Sequence, residues 1–360
     1  MLLLLNFSYP LFLTNSNHIL DFSINQDKGL DLDSGNNSKT HFFSNSKFNL
    51  NEGFFEESSI DLKIEKVSND NYISLYSLES TSPIIKDTST LENIIEFSGS
   101  QNNFYLDLSL ESYETMNKPT SDKYEFVYPN YSLKKVSFFK DNFLDNFEFI
   151  SSGNQKKHST NIYEAVQIND FIFNGNNMIS NFGFNHNFKT MIKNVNSDGQ
   201  NSTKFKEKNQ SEILSMLTYD SDLPLIKNTT NFRNLLTPKM SLRFSPNDSK
   251  NLKDETRYLT TDNIFSFNRI GFNETVESGS TITLGLDYEK KNKDNRTLFS
   301  SKIGTVFRDE INENLPETST LNKKQSDYVG QINFEPYESF ELNYAYSLDN
   351  DVEEFNFHKI

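Results

Sequence analysis

The stretch from Gly279 to Lys291, GSTITLGLDYEKK, decides the fold class. Every second position in it is apolar: Ile282, Leu284, Leu286 and Tyr288. The positions between them are polar: Thr281, Thr283, Asp287 and Glu289. A period of two excludes a helical stripe and predicts a β-strand with one apolar and one polar face. The apolar face needs either the core of a soluble sandwich or the hydrocarbon of a membrane.

The same alternation recurs along the chain, for example in FYLDLSLES (104–112) and from Phe340 to Leu348. Counting such segments predicts roughly 14 to 18 strands, each close to the ~9–11 residues that a tilted membrane strand needs. Ser211 to Tyr219 could form two helical turns, but its neighbours are strands and it is predicted to be a strand. Leu2 to Leu5 begin an apolar run that Asn6 and Pro10 interrupt, which favours a strand or a fragment end over an export signal. Nowhere are there about 18 consecutive apolar residues, so no transmembrane helix is predicted.

Composition narrows the function. The formal net charge is −15, from 35 Lys and Arg against 50 Asp and Glu, which argues against nucleic acid as a partner. Only 35% of residues are hydrophobic, yet there are 33 Phe and 16 Tyr, as expected for alternating strands with polar links. Cysteine is absent and the five histidines form no ligand pair, so neither a metal nor a cofactor is expected.

No catalytic constellation stands out, and the chain is predicted not to be an enzyme. Ser326 and Asp327 have no histidine or lysine placed by sequence to activate the serine, so loop capping is the expected role. Glu56 and Glu57 are expected to solvate a turn.

Three features favour a membrane barrel over a soluble sandwich. Many antiparallel strands in series leave open edges unless the sheet closes, and closure is obligatory in lipid. Links near the C-terminus alternate between short and long, although the link around Asn350 is too short for the rule. Tyr and Phe flank several strands, as in the aromatic girdles of outer-membrane proteins. The predicted fold is therefore all-β, a large antiparallel transmembrane β-barrel of outer-membrane type, in a single domain spanning residues 1–360.

Residues 235–349 resemble the barrel of the LptD family of lipopolysaccharide (LPS) assembly proteins, also called the organic solvent tolerance family. The resemblance rests on motifs in the family's order, from LLTPKMSLRFSP (235–246) through TDNIFSFNRIGF (261–272) to SDYVGQINF (326–334). The matching positions are Thr237, Pro238, Asn263, Ile264, Phe265, Asn268, Arg269, Gly279, Gly285, Leu286, Tyr288, Phe307, Arg308, Leu315, Pro316, Ser326, Asp327, Val329, Gly330, Leu348 and Asp349. Upstream, EKVSNDNYISLYSLESTSP (65–83) resembles the family's Asp-x-Tyr-Leu strand, and YEFVYPNYSL (124–133) resembles its Tyr-x-x-x-x-Pro segment.

The resemblance implies a non-enzymatic component of the outer membrane of a Gram-negative bacterium, which inserts LPS into the outer leaflet. It implies four partners: LPS, a lipoprotein that plugs the barrel, outer-membrane lipid, and periplasmic LPS-bridge proteins that dock on an N-terminal jelly-roll domain. Neither that domain nor the family's final strands have a counterpart here, so the chain is expected to be a fragment with a partial or open barrel.

If the chain is such a barrel, the two sets of alternating positions in the strand predicted over Gly279–Lys291 face opposite environments. We expect Thr281, Thr283, Asp287 and Glu289 to face the lumen. We expect Ile282, Leu284, Leu286 and Tyr288 to face lipid.

Alternatives remain open at this point. Asn268 and Arg269 could contact LPS phosphates, but holding a turn by hydrogen bonds is favoured. Pro238 is expected to mark a strand start or an edge rather than a gate hinge. A general porin or receptor barrel would share the alternation, and so would a soluble adhesin or carbohydrate-binding β protein.

Overall fold

The structure is a computed structural model that describes residues 4–13, 15–26, 38–50, 53–140 and 143–360. The strands are β1 (Leu4–Leu13), β2 (Ser16–Gln26), β3 (Ser38–Leu50), β4 (Glu57–Val67), β5 (Thr90–Gln101), β6 (Phe104–Thr115), β7 (Tyr124–Phe138), β8 (Leu144–His158), β9 (Ile162–Gly175), β10 (Met178–Ile179), β11 (Asn185–Gln200), β12 (Gln210–Asp222), β13 (Leu225–Asn228), β14 (Phe232–Ser245), β15 (Gly279–Asn292), β16 (Thr297–Arg308), β17 (Tyr328–Tyr337), β18 (Phe340–Leu348) and β19 (Phe355–Lys359). Within these described ranges, the links also contain three four-residue helices and one 3₁₀ turn: α1 (Tyr72–Leu75), α2 (Leu78–Thr81), α3 (Thr120–Lys123) and Glu317–Ser319.

In two series, strands that follow one another in the chain pair antiparallel. The pairing runs from β1 to β7 in one series and from β14 to β19 in another. β15, which contains the stretch GSTITLGLDYEKK, pairs with β14 over its whole length, from Gly279 opposite Ser245 to Asn292 opposite Phe232. The prediction of an all-β antiparallel fold is confirmed, including the strand over Ser211–Tyr219, which lies within β12. The described part of the chain contains no helix that is long and apolar enough to cross a membrane.

Contacts between residues divide the chain into two compact units. Unit 1 comprises residues 1–136, 149–169 and 195–212, and unit 2 comprises residues 137–148, 170–194 and 213–360. The single domain expected over 1–360 stays a prediction. Unit 2 contains β13 to β19 and most of the residues that carry the family resemblance.

The links in unit 2 alternate in length as predicted. Residues 293–296 join β15 to β16 and residues 338–339 join β17 to β18. At the other ends of the same strands, residues 246–278 join β14 to β15 and residues 309–327 join β16 to β17. Below, these two long links are called the inner segment (246–278) and the inner loop (309–327). The link after β18, residues 349–354, is short, as the sequence indicated.

The prediction that Pro238 marks a strand start or an edge is wrong. Pro238 lies in the middle of β14, opposite Leu286 of β15. On its other side β14 pairs with β13 up to Leu236 and with β12 from Lys239 onward. Proline is tolerated here because it falls where one partner strand ends and the next begins, so the amide it lacks is not needed by a continuous ladder.

In unit 1 the link between β4 and β5 is long and folds back onto the strands. The family resemblance implied a strand around Tyr72, but this part of the link forms the helices α1 and α2. These helices place Tyr72, Ile73 and Leu78 in a buried apolar cluster with Phe43 of β3 and Leu91 of β5.

A buried polar chain accompanies this cluster. The ring nitrogens of His41 contact the Tyr72 hydroxyl at 3.2 Å and the Asp21 carboxylate at 3.1 Å, and Ser82 donates to the other Asp21 oxygen at 2.5 Å. Burial of apolar side chains together with fully partnered polar groups fixes the link against the sheet.

Candidate functional site: the two faces of β14 to β17

The two registers of β15 lie in contrasting surroundings. The alternate side chains Ile282, Leu284 and Leu286 are 44%, 45% and 39% exposed, although they are large and apolar. Thr281 and Thr283, on the opposite face, are buried. The face that carries Leu284 is called the apolar face below, and the face that carries Thr283 the polar face. Exposed apolar side chains beside buried hydroxyls are the reverse of what water alone would favour.

The apolar face extends over neighbouring strands. Residues that pair directly in an antiparallel sheet point to the same side, so the register shows which side chains join it. Leu242 of β14, Ile282 of β15 and Phe307 of β16 form one such row, and all three are exposed. Phe334 of β17 lies opposite Leu342 of β18, and both are exposed. Soluble monomers rarely expose a contiguous apolar surface of this kind.

The polar face of the same strands is covered by the chain's own long links. The inner segment contributes Leu252, Leu259, Ile264 and Ile270 to a buried cluster, and the inner loop contributes Leu315 and Leu321. Val306 of β16 and Val329 of β17 complete the cluster from the sheet. The hydrophobic core of unit 2 therefore lies on the face that the strand pattern marks as polar.

Two facing glycines make room for this core. Gly285 of β15 lies directly opposite Gly304 of β16. A Cβ atom on Gly285 would lie 2.7 Å from the Phe265 ring, and one on Gly304 would lie 3.2 Å from the Ile264 methyl group. Because neither glycine has a side chain, Phe265 and Ile264 can pack directly on the backbone of the two strands. This packing explains why Gly285 and Phe265 both occur among the residues of the family resemblance.

We expect Gly285→Val to destabilise unit 2 by about 1–3 kcal/mol, because the new side chain overlaps Phe265. Urea unfolding of the protein refolded in detergent micelles measures the change. Phe265→Ala in the Gly285→Val background should recover part of the loss, since it removes the overlapping ring. A double variant whose loss equals the sum of the two single losses would contradict the contact.

Arg269 is the most completely buried of the large side chains on this face. It is fully buried and donates to both oxygens of Glu277, from Nε at 2.6 Å and from Nη2 at 2.5 Å. It also donates to the Thr283 hydroxyl at 2.7 Å and to the Thr281 hydroxyl at 3.0 Å. The planar guanidinium fork suits a bidentate carboxylate contact. Arg269 therefore ties the inner segment to β15, and its buried side chain is not available for an external phosphate.

Two more arginines converge on the same carboxylate from the neighbouring strands. Arg243 of β14 donates to Glu277 at 3.2 Å and to the Ser266 carbonyl at 2.7 Å. Arg308 of β16 donates to Glu277 at 2.5 Å, to the Ser278 carbonyl at 2.6 Å and to the Leu321 carbonyl at 3.0 Å. Glu277 thus joins β14, β16, the inner segment and, through Arg308, the inner loop. This set, Arg243, Arg269, Glu277 and Arg308, is called the arginine cluster below.

The charges of the arginine cluster control the ionisation of its acid. Glu277 lies in the link, outside the strands. Burial alone would raise the pKa of Glu277, but the guanidinium groups of Arg269, Arg243 and Arg308 outweigh it and lower the pKa to about 2. Glu277 is consequently ionised throughout the physiological range and balances part of a positive charge that would otherwise be buried alone.

A pH dependence follows from this lowered pKa. As the pH falls, the unfolded chain takes up the Glu277 proton first, near the ordinary value of 4.5, and the folded chain does so only near about 2. The stabilisation from this carboxylate is complete above about pH 4.5 and is lost as the pH falls through that window. We expect Glu277→Gln to flatten the dependence of unfolding free energy on pH between about pH 5 and about pH 2. Urea unfolding of both proteins at several pH values measures it, and parallel curves would contradict the assignment.

The remaining positions assigned to β15 make local contacts. Asp287 accepts from Lys239 of β14 at 2.5 Å, and Glu289 pairs with Lys291 at 2.8 Å. Tyr288 is half-buried and donates to Asn234 at 2.9 Å. Thr237 of β14 lies opposite Asp287.

The other motif residues hold turns and strand ends. Asn263 accepts from the Thr260 amide at 2.9 Å, and Asn268 accepts from the Gly271 amide at 3.2 Å. The Ser326 hydroxyl accepts from the Val306 amide at 2.9 Å, and Asp327 accepts from Ser347 at 2.8 Å. The contacts of Asn263, Asn268 and Ser326 cap backbone amides. Asp327 instead accepts from a side chain of β18, so its loop-capping role stays a prediction.

Two other positions of the family resemblance, Gly279 and Gly330, require glycine for different reasons. Gly279 opens β15 with a φ of +84°, a conformation that favours glycine. A Cβ atom on Gly330 would lie 2.2 Å from the Tyr346 ring, so the tyrosine lies flat on the glycine of the neighbouring strand.

Glu277 is the functional residue that sequence reasoning missed, along with the roles of Arg243 and Arg308 as its partners. A signal was present in the distribution of basic residues. All six arginines lie between Arg233 and Arg308, whereas the other 29 basic residues are lysines spread over the chain. Arginine restricted to one region indicates a need for planar, buried or bidentate contacts that lysine does not satisfy.

The contacts of the arginine cluster are those of a structural site that holds the inner segment against the strands. Its charged groups are buried and bonded to one another, and the hydroxyls beside them are bonded to Arg269. Across the parts of the chain that the structure describes, no group of three or more His, Asp or Glu side chains could hold a metal ion.

An exposed apolar face opposite a polar one is the arrangement that the strands of outer-membrane β proteins have. The chain belongs to the LptD family, LPS transport system D, whose model matches residues 37–360. The family resemblance of the sequence is therefore confirmed, and with it the association with LPS transport and the outer membrane. No curated protein matches the chain.

Proposed function

We propose that this chain spans the outer membrane of a Gram-negative bacterium and assembles LPS into its outer leaflet by non-enzymatic transport. The observation that carries the proposal is the contrast between the two faces of β14 to β18. An exposed apolar face suits acyl chains, and an opposite face rich in charge and hydroxyls suits hydrated sugar. LPS, the lipid indicated by membership of the LptD family, has both acyl chains and sugars.

In this proposal the two registers of β15 have different neighbours. Ile282, Leu284, Leu286 and Tyr288 face the membrane lipid. Thr281, Thr283, Asp287 and Glu289 face the lumen side, where Thr281 and Thr283 lie beneath the inner segment and bind Arg269. The inner segment and the inner loop thereby narrow the polar side of these strands, and LPS sugars pass beside them rather than over Thr281 and Thr283.

The partners are part of the same proposal. They are LPS itself, outer-membrane lipid, a lipoprotein that plugs the barrel, and periplasmic bridge proteins that deliver LPS through an N-terminal domain. Transport at this component is passive, because energy is supplied elsewhere in the system.

The test is depletion of the chain in the bacterium that encodes it, followed by re-expression of variants. LPS that reaches the cell surface is labelled with a membrane-impermeant reagent. We expect depletion to abolish new surface LPS and the wild-type chain to restore it. Surface LPS that appears at the undepleted rate would overturn the proposal.

The porin and soluble alternatives predict other results in the same cells. A general porin would change the uptake of small hydrophilic solutes while surface LPS stayed constant. A soluble adhesin or carbohydrate-binding protein would be recovered in the aqueous fraction without detergent.

A further inference from the structure

Unit 1 contains a cavity of about 480 Å³ that the transport proposal does not use, and several amide side chains are among the residues that line it. Four strands, β7, β8, β9 and β11, and the start of β12 form it. Its lining includes Tyr131, Gln155, Gln167, Asn196, Asp198 and Gln210. It is called the amide cavity below. Its volume falls within the range of about 300–1,000 Å³ that is usual for sites that bind small molecules.

One residue that lines the amide cavity, Tyr131, lies on a face of unit 1 that carries exposed apolar side chains. Tyr131 of β7 lies directly opposite Leu108 of β6, so the two side chains share a face. Leu108 is exposed, as are Leu110 on the same strand and Ile95, which pairs with Leu110. A hollow lined by amides beside a row of exposed aliphatic side chains is unexpected if that face meets only hydrocarbon.

Tyr131 is held in place before any ligand binds. Its ring lies against Gly153 of β8, where a Cβ atom would lie 2.9 Å from the ring carbon Cε1. Its hydroxyl contacts the Ser151 hydroxyl at 3.3 Å, and Ser151 in turn donates to Asn169 at 2.7 Å. A ring fixed by packing and by a hydrogen-bond chain is a preorganised platform, and preorganisation lowers the cost of binding.

The lining selects an uncharged, hydroxyl-rich ligand. Carboxamides donate and accept hydrogen bonds at the same time, which matches hydroxyl groups that do the same. Among the residues that line the cavity, no lysine or arginine is present to bind a phosphate, and Asp198 is the one carboxylate. A flat aromatic ring next to amides suits the apolar C–H side of a sugar ring.

We propose that the amide cavity binds a neutral saccharide unit, and that its source is the headgroup of a membrane lipid beside the exposed aliphatic side chains of unit 1. The source rests on the proposed function, because it requires this face to meet a membrane. Recognition of the sugar itself does not.

The chain contains no tryptophan, so Tyr131→Trp introduces a single fluorescent reporter that keeps an aromatic platform in the cavity. The reporter protein is reconstituted in phosphatidylcholine vesicles. It is titrated with methyl glucoside, and separately with a monoglucosyl diacylglycerol against the same diacylglycerol without sugar. Tyr128→Trp, an exposed aromatic position of the same strand outside the cavity lining, is the matched control.

We expect a saturable emission change with sugar for Tyr131→Trp and none for Tyr128→Trp. Gln167→Leu in the Tyr131→Trp background should weaken binding about tenfold, the effect of losing one good hydrogen bond. Gln101→Leu, which alters an amide outside the cavity, should leave it unchanged. A response to the free glycoside supports sugar recognition alone, and a response only to the glycolipid supports the membrane source as well.

The proposal is overturned if neither sugar changes the emission, if the sugar-free lipid acts equally, or if Gln167→Leu has no effect. Saturation-transfer NMR of methyl glucoside with the wild-type protein tests the same binding without any substitution. It therefore decides the matter if Tyr131→Trp does not fold. Surface LPS measured in cells that carry Gln167→Leu separates the two proposals, because transport can continue when sugar binding at the amide cavity is lost.

Discussion

Replacing Glu277 by glutamine is expected to destabilise the folded protein by about 3–5 kcal/mol, the usual effect of removing one partner from a buried ion pair. The glutamine keeps the size of the side chain but leaves Arg243, Arg269 and Arg308 buried without the carboxylate that all three bind. Asp220 provides a further negative charge near Arg243 but none of these hydrogen bonds. Urea unfolding in detergent micelles at neutral pH measures the loss.

Glu289→Gln is the matched control, because Glu289 belongs to β15 and pairs with Lys291 in a partly exposed position. Such pairs contribute at most about 1 kcal/mol. A Glu277 variant that unfolds at the same urea concentration as the control would show that the arginine cluster does not hold the inner segment. Limited proteolysis provides a second readout, since a released inner segment should be cut first.

A second large effect is expected when Leu284 is replaced by arginine. If the apolar face meets hydrocarbon, a guanidinium near mid-membrane costs about 2–4 kcal/mol. In water the same change at a side chain that is 45% exposed would cost almost nothing. The measurement is urea unfolding of the protein in lipid vesicles.

Asn343→Arg is the matched control for the opposite face. Asn343 of β18 is exposed and alternates with Leu342, so its side chain points away from the apolar face. We expect this variant to unfold like the wild type. If Leu284→Arg also does so, the apolar face does not contact lipid, and the soluble alternative gains support.

The strands could be predicted from the sequence because the alternation of apolar and polar residues that indicates a strand is a local pattern. The alternation over Gly279–Lys291 needs no information from elsewhere in the chain, and β15 covers this stretch. The lengths of the links at 293–296 and 309–327 could be read in the same way. The position of Pro238 within β14 could not, because it depends on where β12 ends and β13 begins on the far side of that strand.

The roles of the motif residues were only partly accessible. Ser326 and Asp327 were expected to cap a loop from their residue types alone. The fit of Phe265 onto Gly285 joins residues 20 positions apart in the sequence and depends on Gly304 of another strand. No local pattern encodes such a fit, because the shape of the space is set by three separate segments.

The sequence by itself determined the strands, their two faces and, through ordered motifs, the family. The tertiary structure alone decided that the polar register of β15 lies under the inner segment, and that Glu277 gathers three arginines from three different parts of the chain. The physical reason is that alternation is a property of neighbouring residues, whereas burial and charge pairing depend on which distant segments fold onto a face.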